Sequence, residues 1–166
     1  MKIQRTVSIS NKRARFEYEI LEQIEAGIVL TGTEIKALRS SKASITESFC
    51  QFIEGELYII NMTIDEYKLG TFYNHKIKRE RKLLLHKREL DKWSKKMKDV
   101  GNTIVPLKVY VNDRGKAKVL IALARGKKLY DKREAIKERE AKVKLNRVFK
   151  KTKKIAKILA VTKKYI

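Results

Sequence analysis

Side chains suited to acid–base or nucleophilic chemistry near neutral pH are scarce in this sequence: two histidines and one cysteine. His75 and His86 could act with a nearby lysine as the acid and base of a ribonuclease, but only proximity in sequence joins them. His86 falls where an apolar run gives way to a helical pattern, a place for a packed or capping histidine. Cys50 lies between Phe49 and Phe52 in an apolar, strand-like stretch, which predicts a buried thiol without chemistry. A single cysteine allows no internal disulfide and no cysteine pair for zinc, and it fits a reducing cytoplasm. The run "ARGKK" lacks the preceding glycine and the length of a phosphate-cradling loop. These residues predict no enzyme, no metal and no cofactor.

What the chain does have is positive charge. Its 166 residues carry 41 Lys plus Arg against 19 Asp plus Glu, a formal net charge of +22. Solubility asks for far less, and such a load repels itself unless a polyanion offsets it. Nucleic acid and an anionic membrane surface are the two candidates. The segment "KLGTFYNHKIKRERK", from Lys68 to Lys82, holds six basic side chains, or seven with His75, beside Phe72 and Tyr73. Rings that stack and cations that meet phosphates are what an RNA-binding loop needs. Tyr73, Asn74, His75, Lys78, Arg79 and Arg81 are therefore candidate contacts. Lys12, Arg13 and Arg15 in "NKRARFEY" form a second basic group. Lys127 and Lys128 form a third, and from Arg125 to the end 17 basic face 4 acidic residues, a net +13.

The elements that must position these groups are mostly strands. Tyr18, Ile20, Ile24, Ala26, Ile28 and Leu30 share one parity, with Glu17, Glu19, Gln23 and Glu25 on the other. This is a half-buried strand, broken at Leu21 and Glu22 as by a bulge. "TGTEIKALRSSK" predicts a short helix in which Thr31 and Glu34 have capping-box spacing and Lys36 faces outward. Glu34 is either that cap or a recognition residue that accepts from a base or a 2'-hydroxyl. "SFCQFIEGELYIINMTI" predicts a hairpin around Glu54-Gly55-Glu56. "KLLLHKRELDKWSKKMKD" starts apolar and becomes a helix whose Leu90, Trp93 and Met97 form one inward stripe. Pro106 is expected to start a second hairpin, with "NDRG" as its turn. Along that hairpin Lys116 and Lys118 face outward, whereas Leu120 and Ala122 suggest that the same face later becomes covered.

About six strands in three groups, without repeated crossover helices, predict a mainly β protein. An antiparallel OB-like barrel with two or three short helices is expected, because closure removes free edges. The organisation expected is a basic arm over residues 1–15, the barrel over 16–128 and a basic tail over 129–166. Asp131 and Glu134 have helix-start spacing, and Glu138 with Lys142 and Glu140 with Lys144 are favourable pairs. The apolar stripe is too thin to hold the tail to a core, which predicts a tail disordered when free and helical along RNA. The rival is a membrane-surface helix using Ile155, Ile158, Leu159 and Val161, which leaves the basic loops of the body unexplained. The first forty residues show no secretory or spanning segment, and Lys2 stands where myristoylation needs glycine.

Three long stretches, "NKRARFEYEILEQIEAGIVLTGTEIKALR", "RKLLLHKREL" and "ALARGKKLYDKREAIKERE", resemble the SsrA-binding protein (SmpB) family. The likeness runs from about Asn11 to Glu140. It implies an OB-type barrel with added helices that binds the tRNA-like domain of transfer-messenger RNA and helps rescue ribosomes stalled on messages without a stop codon. It implies a tail that enters the decoding region of the small subunit and the empty message path, turning helical there. The elongation factor that delivers aminoacyl-tRNA is implied as a third partner, in the cytoplasm and without a membrane. By position, Glu34 lies in the RNA-contacting segment, Lys127 and Lys128 sit beside phosphates, and Asp131, Lys132 and Arg133 form the "DKR" element at the start of the tail. Lys137 and Arg139 continue this ribosome-facing run. Tyr130 stands where some members have a histidine set against a decoding-centre base; tyrosine stacks equally well but does not titrate near neutrality. Lys76 and Ile77 stand where members commonly have an acidic residue and proline. On composition alone, a general tRNA- or rRNA-binding protein fits the same residues.

Overall fold

Asn11 fixes the start of the body. Its side-chain amide donates to the carbonyls of Ile45 (3.1 Å) and Pro106 (3.2 Å), and its Oδ1 accepts from the Ala14 amide at 3.0 Å. That last bond starts a one-turn helix, α1 (Ala14–Glu17), as a short polar side chain does at a helix N-terminus. Just before it, β1 (Ser8–Ser10) lies along the edge of a later strand. The computed structural model describes residues 7–70 and 73–162, with backbone only for Leu129, Tyr130, Asp131, Ala135, Lys151 and residues 154–162. Phe72 and residues 1–6 of the expected arm lie outside the described residues.

β2 (Tyr18–Ile28) follows the sequence alternation. Its pairing with β9 (Ala117–Gly126) slips between Ile20 and Glu22, which is the bulge expected at Leu21. α2 (Gly32–Arg39) comes next, then β3 (Ala43–Ser44), which pairs with β6 (Thr63–Ile64). β4 (Phe49–Ile53) and β5 (Glu56–Ile60) make the first hairpin. Glu54 (φ 50°) and Gly55 (φ 81°) both turn left-handed, the two-residue geometry that matches strand twist. β7 (Arg81–Leu84) and α3 (Lys87–Lys96) come from the apolar run that becomes helix. His86 sits at the N-cap, and its backbone amide donates to the Glu89 carboxylate at 2.9 Å.

The second hairpin differs from expectation. Its first strand, β8 (Asn102–Val111), begins four residues before Pro106. Ile104 and Val105 already pair with Leu123 and Ala122, and the register shifts between Pro106 and Lys108. A proline lacks the ladder donor, and this irregularity is where a strand tolerates one.

All pairings are antiparallel. Neighbours run β8–β4–β5–β7–β2–β9, and β9 pairs again with β8. The protein is thus mainly β, with an antiparallel sheet, short helices and a C-terminal helix. Among the described residues there are nine strands rather than about six; β1, β3 and β6 are too short to show a period. Inside the sheet lie Leu57, Ile59, Met62, Leu83, Ile104, Val109, Val119 and Ile121, with Leu38 from α2 and Trp93 from α3. Each such side chain contributes about 1.5–3 kcal/mol on burial. Cys50 joins them, and burial pushes its thiol far up, away from reactivity. A second, smaller core covers the opposite face, where Ala14 of α1 packs with Val105, Leu107, Ala122 and Ala124. The covering expected over Leu120 and Ala122 is therefore α1.

The chain forms two compact units, 1–126 and 127–166. In the second, α4 (Leu129–Thr162) is one continuous helix. Ile136, Val143, Leu145, Val148 and Phe149 are exposed along it, in keeping with the thin stripe. No helix of the described residues is long and apolar enough to cross a membrane.

Candidate nucleic-acid interface

The basic loop after β6 is built on a buried carboxylate. Glu34, in the first turn of α2, has a side chain with no solvent exposure. It accepts from the Thr31 amide (2.7 Å), from Arg79 Nε (3.1 Å) and Nη2 (2.7 Å), and from Arg81 Nε (2.9 Å). Burial alone would raise its pKa. The Arg79 hydrogen bonds, the Thr31 amide and the charges of Arg81 and Arg79 outweigh that and hold it at about 2. Arg81, the first residue of β7, is equally buried. Its Nη1 donates to the carbonyls of Met62 (2.7 Å) and Arg79 (2.8 Å), and its Nη2 to Ile77 at 3.2 Å. One guanidinium therefore ties three loop carbonyls to the cap of α2.

Two further pins hold the same loop. His75 is 8% exposed, and both ring nitrogens are engaged: Nε2 with the Ile64 carbonyl (3.1 Å), Nδ1 with the Thr33 hydroxyl (2.9 Å). A carbonyl only accepts, so Nε2 donates to Ile64, while the Thr33 hydroxyl can either donate to Nδ1 or accept from it. Asn74 donates from its amide to the Tyr67 carbonyl (3.0 Å), and its Oδ1 accepts from the amides of Tyr67 and His75. Lys36 of α2 stands over the Tyr67 ring, 5.4 Å from its centre. Held in this way, the loop exposes Tyr73 (92%) together with Lys76, Ile77 and Lys78.

The structure thus brings Glu34, Lys36, Asn74, His75, Arg79 and Arg81 into one assembly of α2, β7 and the loop. Glu34 and Arg81 present no surface to a partner; they hold the groups that do. Of the two readings of Glu34, the cap is formed. Arg79 is part exposed, the guanidinium both anchored and reachable. Lys12, Arg13 and Arg15 are exposed around α1, with Arg13 paired to Glu17 at 2.6 Å and more loosely to Glu47 at 3.5 Å. Lys127 and Lys128 fall between β9 and α4. Lys132, Arg133, Lys137 and Arg139 lie in the first turns of α4, while the side chains of Tyr130 and Asp131 lie outside the described residues. Asn11 and Tyr67 were missed as positioning residues. Asn11 had a legible signal, a polar side chain three residues before Ala14, whereas Tyr67 had none. His75 and His86 serve in a loop pin and a helix cap. Among the described residues no group of three His, Cys, Asp or Glu side chains is placed to hold a metal.

Such an arrangement is that of a binding protein: a β body that presents cations and a bare ring on a buttressed loop, continued by a basic helix. Comparison with known proteins narrows this class. The family model described as "SmpB protein" matches residues 8–151. The SsrA-binding protein of Christiangramia forsetii is 52% identical over 151 residues, covering 91% of this chain and 96% of that one. That of Flavobacterium psychrophilum is 56% identical over 146 residues, 88% of this chain and 97% of that one. A solved structure described as "tmRNA-SmpB: a journey to the center of the bacterial ribosome" superposes with a TM-score of 0.64 at 51% identity, over 78% of this chain and 94% of that one. The chain belongs to the SmpB family.

Proposed function

We propose that this chain is a ribosome-rescue factor that binds the tRNA-like domain of transfer-messenger RNA and takes it to stalled ribosomes. The observation that carries this reading is the family match across residues 8–151. The charge distribution supports it: 25 basic against 15 acidic residues in 1–126, and 16 against 4 in 127–166. The circuit of pairings that leaves β8 and returns to it supports an OB-like barrel as the form of the body. Lys12, Arg13, Arg15, Lys36, Tyr73, Lys78, Arg79, Lys127 and Lys128 meet the RNA, with phosphate contacts that weaken as salt rises. Asn74, His75, Glu34 and Arg81 hold them in register. The tail, through Tyr130, Asp131, Lys132, Arg133, Lys137 and Arg139, occupies the decoding region of the small subunit and the empty message path. The elongation factor that delivers aminoacyl-tRNA joins the same complex, in the cytoplasm.

The test is reconstituted translation on a message lacking a stop codon. Adding this chain and transfer-messenger RNA should tag the nascent peptide, and no tagging would refute the reading. Tyr130→Ala should slow tagging roughly tenfold, the loss of one stacked ring, with affinity for free RNA nearly unchanged. Equal losses in both assays would remove the decoding-region contact.

A further inference from the structure

Most acidic side chains of the body that form ion pairs are held closely: Glu22 by Lys92 and Lys96, Glu25 by Lys118, Glu34 by Arg79 and Arg81, Glu56 by Lys82. Glu47 is different. It is 80% exposed, and its one recorded partner, Arg13 Nη1, is 3.5 Å away. It stands on the wall of a cleft of about 270 Å³ between α1, the start of β2 and the start of β4. Tyr18, Phe49, Arg13 and Glu17 line that cleft together with the buried Ala14 and Val105. Phe49 is 38% exposed although it lies in a strand. Across Thr46 and Glu47, which the two share, opens a second cleft of about 280 Å³. Only polar residues line this one, Ser44, Asn61, Thr63 and Lys78 besides the shared pair.

The chemistry of the two halves differs. Two carboxylates beside the aromatic cleft repel a phosphate, while rings, a guanidinium and a carboxylate suit a base that offers π-faces and N–H donors. The second cleft offers a lysine and hydroxyls with no carboxylate but the shared Glu47, which suits phosphate and ribose. The aromatic cleft lies just below the size range of ordinary small-molecule pockets, and it has room for one base.

We propose that the paired clefts take one unstacked nucleotide of the bound RNA. Its base lies against Tyr18 and Phe49, its exocyclic amino group donates to Glu47, and its phosphate lies at Lys78. The base is therefore an amino-bearing one, cytosine, adenine or guanine, and uracil, which sets its O4 acceptor against the carboxylate where cytosine sets an amino group, is discriminated against. The inference rests on the RNA-binding reading and adds a specificity residue, Glu47, to it.

The experiment measures binding of the full chain to single-stranded RNA pentamers of uridine with the central position varied, and separately to the tRNA-like domain. The wild type should bind cytidine-centred pentamers roughly tenfold tighter than all-uridine ones, the scale of a base-edge hydrogen bond to a charged group. Glu47→Gln should shrink that difference, because a neutral amide oxygen accepts more weakly than a carboxylate, while leaving the salt slope unchanged. Lys78→Ala should weaken every pentamer and lower the slope by about 1. Phe49→Leu should weaken all pentamers roughly tenfold through lost stacking. Simple electrostatics predicts the opposite for Glu47→Gln: removing a negative charge tightens every RNA alike. That outcome, or a wild type indifferent to the central base, overturns the proposal even where the tRNA-like domain still binds. Failure of the wild type to bind that domain overturns the RNA-binding reading instead. Glu47 is exposed, so its variant folds even where Phe49→Leu does not.

Discussion

Ending the chain at Gly126 should abolish ribosome rescue and leave affinity for the tRNA-like domain within about tenfold of the full chain. Every residue of the two apolar cores lies at or before Ala124, so the cut removes none of what folds the body. It removes 16 basic and 4 acidic residues, a net +12, and leaves the body at +10. The lost charge adds salt-dependent attraction to any RNA, so the deficit should shrink as salt rises. Rescue has no such reserve, because among the described residues α4 is the only element long enough to reach along a message path: 34 residues span about 50 Å at 1.5 Å each. The residues described within it after Lys132 are exposed, and a helix without a core is marginal in water. Its helical signal should therefore rise when ribosomes or RNA are added. Tagging assays and binding titrations on the two proteins check this. Loss of tRNA-like-domain binding on truncation would contradict the division between body and tail.

The second large effect lies at the buried ion pair. Arg81→Met leaves Glu34 in the interior with one guanidinium in place of two and strips donors from the carbonyls of Met62, Arg79 and Ile77. Breaking such a pair from one side costs about 3–5 kcal/mol, a large share of a small domain's stability. Denaturant melts measure it. Replacing both partners, Glu34→Leu with Arg81→Met, should recover part of the loss, since no buried carboxylate is then left short of a partner. RNA affinity should fall in the single variant because the loop is no longer held, yet the salt slope should stay put, because Arg81 touches no phosphate. A slope lowered by about 1 would make Arg81 a direct contact. The pair also sets acid stability. Glu34 has a folded pKa of about 2, below its ordinary 4.5. Its stabilisation is therefore complete above about pH 4.5 and is lost as pH falls toward 2. In Glu34→Gln that part of the acid sensitivity should disappear.

The sequence makes the long elements legible because their periods repeat. β2 shows its alternation and even its bulge, and α3 shows the stripe that buries Trp93. The Glu54-Gly55 turn is legible because few residue pairs tolerate two left-handed positions. α1 is one turn long and is held by Asn11 bonds to Ile45 and Pro106, 34 and 95 residues away; no local pattern carries that. The candidate site is legible as a composition, not as a division of labour. Glu34, Arg79 and Arg81 can all be picked out as polar residues near a basic loop. Which is buried and which is reachable depends on the fold that brings α2 against β7, and the sequence alone does not separate buttress from contact. Glu47 is invisible for the same reason: its proposed role depends on Tyr18, which the fold brings from β2 to the cleft that Glu47 and Phe49 line.

The central claim is selective recognition of RNA by the body. Its most direct test is competition at about 0.15 M salt, where exposed charges beyond about 8 Å are screened. Labelled tRNA-like domain of transfer-messenger RNA is bound to the full chain and challenged with excess elongator tRNA. The account predicts that the complex persists against the competitor. Ready displacement by elongator tRNA would contradict it and leave a basic β domain that binds structured RNA in general.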